Sequence, residues 1–180
     1  MDDLTKIRRA ELAVHDDAWI VDFLRRSEYG VLALCRDGQP FTVARNFVYD
    51  AEQHVIYLHG ARKGRTFDLV RDGARANFNV SRAGRLLPAA EAWRVDTEYA
   101  GVVVFGFVQV VEDLTEARRA LELLLAKYFP HLPEREDYHP VREADLKAVA
   151  VLRLKIEAWS GKQKQAAPDF PGAFRFGERV

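Results

Sequence analysis

Between Tyr99 and Val111 the chain runs almost entirely through Val and Phe, with Gly106 set in the middle. β-branched and aromatic residues in an unbroken run form a strand, and a strand apolar on both faces is covered on both faces. The run is far too short for a membrane-spanning helix, which needs about 20 apolar residues. A glycine inside a strand marks a bend or a bulge, as a sheet that curls on itself requires. The segment therefore points to a small barrel, closed or partly closed.

The rest of the chain supplies the other strands. Val31 to Arg36 is a short apolar run that ends at Asp37-Gly38, a strong hairpin signal. Phe41 to Tyr49 pairs back with it, and His54 to His59 follows a turn at Asp50–Gln53. Ala76, Phe78 and Val80 alternate with Asn77 and Asn79, which reads as a strand over Arg75–Ser81. Val149 to Trp159 alternates in the same way. Gly84 to Asp96 has no period and is expected to be a loop, as is Pro133 to Pro140.

Helices flank these strands. Trp19, Ile20, Phe23 and Leu24 share one helical face over Asp16–Arg26. Thr66 to Arg71 is a short helix with Phe67 and Val70 inward. Asp113 and Glu116 have capping-box spacing at the head of a longer helix that Pro130 stops. The expected fold is mainly β and antiparallel, with α-helices packed outside. One domain over residues 1–180 is expected, with its core at about 16–164 and an extended tail over 165–180.

Charge narrows the partners. Lys and Arg number 27 against 27 Asp and Glu. Bulk nucleic-acid binding needs a surplus of positive charge, so no nucleic acid is expected. The start MDDLTKIRRAEL has two acids and no apolar core, so no signal peptide is expected, and with no apolar run longer than Gly101–Val108 no membrane partner is expected. Cys35 is the single cysteine, which fits a cytoplasmic, reducing setting and allows no cysteine-based metal site. No HxxxH, HExxH or Cys/His spacing occurs, so no metal is expected. Nucleotide-binding glycine motifs and a GxSxG elbow are missing as well. Any difficult chemistry would then fall to a bound organic cofactor.

The most informative stretch is His59-Gly60-Ala61-Arg62-Lys63-Gly64-Arg65-Thr66. A strand ends, small residues follow, three cations fall within four positions, and a helix begins. Small residues let backbone N–H groups approach a ligand, and Arg and Lys add full charge. This is an anion site, most naturally for phosphate, or else a solvated loop in an Arg-rich chain. His59 shares its strand face with Val55 and Tyr57. It is either a structural histidine or a catalytic one beside the loop. Arg45 and Asn46 lie within an apolar strand, either facing outward or touching a ligand. Trp159-Ser160-Gly161-Lys162 ends the last strand, with Trp159 in the core or stacked on a flat cofactor.

The stretches DGQP, FTVARNFVYD and IYLHGARKGRTFDLV, followed by VVVFGFVQVVED, ARRALELLLAKYFP and AWSGK, resemble the FMN-binding split-barrel proteins. More narrowly, they resemble the pyridoxamine 5′-phosphate oxidase-related group that includes Nim-type nitroimidazole-resistance flavoproteins. The resemblance implies a six-stranded antiparallel split β-barrel that forms a homodimer with FMN at the interface. It implies that Val43, Ala44, Arg45, Asn46 and Phe47 lie along the flavin ring. The loop from His59 to Thr66 would surround the phosphate, with Arg62, Lys63 and Arg65 as charge partners. Tyr99, Trp159, Ser160, Gly161 and Lys162 would approach from the interface, and His59 would be the catalytic residue. The implied function is oxidoreduction of a small molecule, by nitro-group or flavin reduction. The alternative is a non-catalytic flavin- or haem-binding module with His59 as axial ligand.

The chain also departs from its relatives. Gly60 stands where they commonly have Ser, Thr66 where they have Lys, and Ala44-Arg45 where they often have proline and a small apolar residue. The ending PGAFRFGERV lacks the C-terminal arginine-and-proline signature of genuine pyridoxamine phosphate oxidases, so vitamin B6 oxidation is not expected.

Overall fold

A computed structural model describes residues 3–132 and 137–178. Eight strands form one antiparallel sheet: β1 (Ala13–Val14), β2 (Gly30–Arg36), β3 (Gln39–Arg45), β4 (Val48–Asp50), β5 (Val55–Ala61), β6 (Ala74–Leu87), β7 (Asp96–Val110) and β8 (Val149–Lys164). Their order is β3-β2-β6-β7-β8-β5-β4, with β1 paired to β8. The mainly β, antiparallel expectation holds, and the count rises from six to eight. One added strand is the short β1. The other arises because the expected Phe41–Tyr49 strand breaks at Asn46-Phe47 into β3 and β4. Those two strands are the free edges of the sheet, so the barrel is split and this two-residue link ties its edges together.

β7 runs through the middle. Val102, Val104 and Val108 are fully buried, while Val103, Phe105 and Phe107 on its other face are half-buried. Gly106 stands at the expected irregularity, where the register with β8 shifts between Phe105 and Gly106. A β-carbon at Gly106 would lie 2.0 Å from the Lys155 carbonyl oxygen, so the close approach of β8 requires glycine.

Strand alternation divides the interior in two. Ile56 and Leu58 of β5 face the barrel core with Leu32, Phe78 and Leu152. Val55 and Tyr57 face the other way, into a second cluster with Ala117, Ala120, Leu124 and Leu146. Those residues come from α3 (Leu114–Tyr128) and α4 (Glu143–Ala148). The remaining helices are α1 (Asp17–Arg26) and α2 (Arg65–Val70). Asp113 caps α3 by accepting from Glu116 N–H, as the sequence implies. Among the described residues no helix is long and apolar enough to cross a membrane.

One expected loop, Gly84–Asp96, turns out differently. β6 and β7 continue as a hairpin through Arg85 and Thr97, because Arg85 pairs with Glu98 across the strands at 2.7 Å. The same guanidinium donates to the carbonyls of Ala167 and Pro168, and Ala166 N–H donates to Glu98. The tail is thus pinned to its own hairpin, and Phe174 bridges to Leu86. α4 falls between the expected loop and the expected last strand, where the sequence reading assigns no element. Of the expected Pro133–Pro140 loop, residues 133–136 lie outside the described residues.

A half-buried cation locks the α3 side of the link. Lys127 Nζ lies 3.8 Å from the Phe47 ring centroid and donates to the Leu24 carbonyl. Burial pushes its pKa down to about 8. An unfolded lysine titrates near about 10.4, so between these values the unfolded chain binds more protons and stability rises with pH. Urea midpoints should therefore climb from about pH 8 to pH 10 in the wild type relative to Lys127→Met. Parallel curves would show that the ammonium is not desolvated.

Candidate functional site

At the end of β3 the chain places Arg45 and Asn46 on opposite faces, and at the end of β5 it does the same with Gly60 and His59. Two cavities lie on either side of these strand ends. The first, of about 230 Å3, is lined by Arg45, Gly60, Ala61, Lys63, Gly64, Arg65 and Thr66, with Ala150 and Leu152 of β8 at its base. Three of those residues are cations and none is acidic. Arg45 Nη2 donates to Thr66 Oγ1 at 3.2 Å. Its Nε is buried and has no hydrogen-bond partner. Gly64, with φ of +92°, turns the chain into α2 and sets Arg65 and Thr66 facing the cleft.

A buried, unpaired guanidinium N–H costs about 1–3 kcal/mol, and uncompensated like charges add repulsion. A bound anion removes both costs. The donor set (a guanidinium, an ammonium, a second guanidinium and a hydroxyl) is the chemistry that holds a phosphate. The cleft has room for a phosphate group and is too small to enclose a whole nucleotide.

The second cavity, of about 740 Å3, lies under α3 and α4. Leu121, Leu125, Phe129 and Val149 give it an apolar wall, and Asn46, His59, His139, Arg142 and Asp145 are its polar and charged points. His59 is solvent-accessible at the cavity mouth, yet the protein packed around it lowers its pKa, and the nearby Arg45 charge lowers it further. The imidazole is therefore held toward its neutral form.

The site residues expected from sequence fall into separate groups. Arg45, Gly60, Ala61, Lys63, Gly64, Arg65 and Thr66 converge on the first cleft. Asn46 and His59 face the second. Arg62 turns away to donate to the Leu146 carbonyl at 3.1 Å. Val43 packs on the barrel core and Phe47 is buried within it, while Ala44 is exposed. Trp159 packs on the core too, donates to Asp17 at 2.8 Å and stacks edge-on with His54. Lys162 lies over the Tyr99 ring at 5.0 Å, and Gly161 is packed against Val14 and Ile20. None of Tyr99, Trp159, Ser160, Gly161 and Lys162 lines the first cleft of the same chain.

Sequence reading missed His139 and the apolar wall of the second cavity. A signal was present: Leu121 and Leu125 of α3 and Phe129 just past its end repeat every four residues.

Comparison with solved structures shows which proteins the chain is similar to in fold. It superimposes on the flavocytochrome Anf3 from Azotobacter vinelandii with a TM-score of 0.80 and 22% identity, covering 92% of this chain and 75% of that one. The FAD and heme binding protein from Mycobacterium smegmatis gives a TM-score of 0.77 and 22% identity over 87% of this chain and 75% of that one. A candidate 5-nitroimidazole antibiotic resistance protein from Bacteroides thetaiotaomicron gives 0.69 and 18% over 84% and 86%. At these identities the likeness shows the fold alone. No curated protein sequence matches the chain. The sequence profile described as pyridoxamine 5′-phosphate oxidase matches residues 16–163, which takes in β2 to β7, all of β8 but its last residue, and both cavities. By that match the chain belongs to the pyridoxamine 5′-phosphate oxidase family.

Proposed function

We propose that the protein binds FMN with its phosphate in the Arg45–Lys63–Arg65 cleft and acts as an oxidoreductase on a small molecule. One observation carries the reading: three cations and a hydroxyl line a cleft without any acid, and one guanidinium N–H is buried there without a partner. Bound flavin supplies hydride and one-electron transfer. The protein's own residues bind and orient it. Arg45, Lys63, Arg65 and Thr66 hold the phosphate. The exposed, small Ala44 and the backbone from Val43 to Phe47 leave a flat surface for the ring. His59 stands at the strand end, where it can meet a substrate.

A homodimer completes this arrangement. Trp159 to Lys162 lie away from the cleft in their own chain, so only a second copy can bring them to the ring. The half-buried Val103, Phe105 and Phe107 give the sheet an apolar outer face that a second copy would cover. The absorbance spectrum of the purified protein tests the proposal. Yellow protein that releases FMN on acid precipitation is expected, and FAD in the supernatant would correct the cofactor. Colourless protein that also leaves added flavin fluorescence unchanged overturns it. NADH or NADPH oxidation in the presence of a nitroimidazole or free flavin then identifies the acceptor.

The 740 Å3 cavity favours a second reading, a haem-binding module with His59 as axial ligand. Its apolar wall suits a flat macrocycle, and a neutral imidazole is the commonest metal ligand in proteins. Two of the similar structures are named as a flavocytochrome and as a FAD and heme binding protein. A Soret band after addition of haem, lost in His59→Ala, supports this reading.

A further inference from the structure

Two further cavities meet at Arg82, and neither shares a lining residue with the two described above. The smaller, of about 290 Å3, lies where β6, β7 and β8 meet the tail, and its charged lining is Arg82, Glu98, Lys164 and Arg175. The larger, of about 590 Å3, lies between α1 and β6 and is walled by Trp19, Phe23 and Tyr29. Arg82 and Ala83 line both, so the two spaces adjoin.

Charge in the smaller cavity is unbalanced. Glu98 is held by Arg85, and Lys164 by Asp96. Asp22, in the larger cavity, is held by Arg26. Arg82 and Arg175 have no acidic partner among the ion pairs of the described residues. Their surroundings place both. Arg82 lies over the Phe23 ring at 5.2 Å, and Trp19 stacks on the same ring. Arg175 follows Phe174, which exchanges backbone hydrogen bonds with Leu86. Two guanidiniums so placed match a phosphate monoester, which carries about −1.5 to −2 charge at pH 7 and offers three acceptor oxygens. The larger cavity supplies what the rest of a nucleotide needs. Trp19 and the exposed Tyr29 give aromatic faces for a base. Ser27, Ser81 and Glu28 give acceptors for sugar hydroxyls.

We propose that these adjoining cavities form a nucleotide site separate from the Arg45–Lys63–Arg65 cleft, with the phosphate between Arg82 and Arg175 and the base against Trp19 and Tyr29. The tail completes the site, because Arg175 lies beyond the end of β8 and is held there by the contact of Phe174 with Leu86.

The test is calorimetric titration with adenosine monophosphate. The protein carries alanine at Arg45, Lys63 and Arg65, so that the first cleft is silent. One nucleotide should bind per chain, at least about tenfold more tightly than inorganic phosphate. Arg82→Gln and Arg175→Gln should each weaken both ligands by about tenfold or more. Tyr29→Ala should weaken the nucleotide alone, and its exposed ring can be removed without opening the core. A nucleotide that does not bind, or that binds equally well after both arginine substitutions, overturns the proposal. A nucleotide that binds no more tightly than inorganic phosphate also overturns it, since the aromatic cavity then takes no base.

Discussion

Replacing Arg45, Lys63 and Arg65 together by alanine should weaken FMN binding by at least about 4 kcal/mol, roughly a thousandfold in Kd. Each charge-assisted contact contributes about 1.5–3 kcal/mol, and neighbouring contacts that share one phosphate do not add fully. The control is Arg62→Ala. Arg62 belongs to the same basic run, but its guanidinium is committed to the Leu146 carbonyl and does not line the cleft. Its loss should leave flavin affinity within about threefold, well under the roughly 1.4 kcal/mol that separates decades of affinity. Riboflavin, which lacks the phosphate, separates the phosphate contacts from the ring contacts. Fluorescence titrations should show that the wild type prefers FMN to riboflavin and that the triple variant has lost the preference. A preference that survives the three substitutions would place the phosphate elsewhere.

Arg45→Ala alone carries a further expectation. The substitution removes a buried N–H that has no partner, so the cofactor-free protein should not be destabilised by it. A residue that costs stability when the site is empty and gains a partner when it is filled is typical of a binding site.

The contrast between Arg62 and Arg45 shows where sequence reading works and where it stops. The basic loop was legible from composition and spacing: small residues, three cations and the start of a helix. Which cations converge was not. Arg62 follows β5 directly, and its direction depends on α4, which lies 84 residues further on. His59 shows the same limit. Its shared face with Val55 and Tyr57 follows from strand alternation alone, but the identity of the layer over that face, α3 and α4, is a long-range fact. Gly106 was legible in full, because a glycine in an apolar strand has few other uses. The β6–β7 extension was not, because Arg82, Gly84 and Arg85 look like a loop until Glu98 is seen opposite Arg85. The break at Asn46-Phe47 hid inside a run that reads as one strand. It took the tertiary contacts of Phe47 to turn the chain there.

Those contacts make Phe47→Ala the most damaging single substitution expected in the chain, at about 3–5 kcal/mol. Phe47 is fully buried and meets Phe78 edge-on with centroids 4.9 Å apart. Its N–H donates to the Tyr128 hydroxyl at 2.9 Å, and that hydroxyl donates in turn to the Glu28 carbonyl at 2.6 Å. Lys127 caps the ring from the other side. Removing the ring opens a cavity at the point where the two sheet edges are tied, and the loss should appear as a fall of about 10 °C in Tm for a domain of this size. Phe129→Ala is the matched control, since a ring 46% exposed leaves no comparable void and should move Tm little. The Lys127 effect adds an independent reading. With the ring gone, water reaches the ammonium, its pKa returns toward the ordinary lysine value, and the rise in stability between about pH 8 and pH 10 flattens. Thermal melts of Phe47→Ala at pH 7.5 and 9.5 check both consequences together. A loss under about 1 kcal/mol with the pH dependence intact would mean that the link between β3 and β4 is held by its backbone contacts to Tyr128 rather than by the ring.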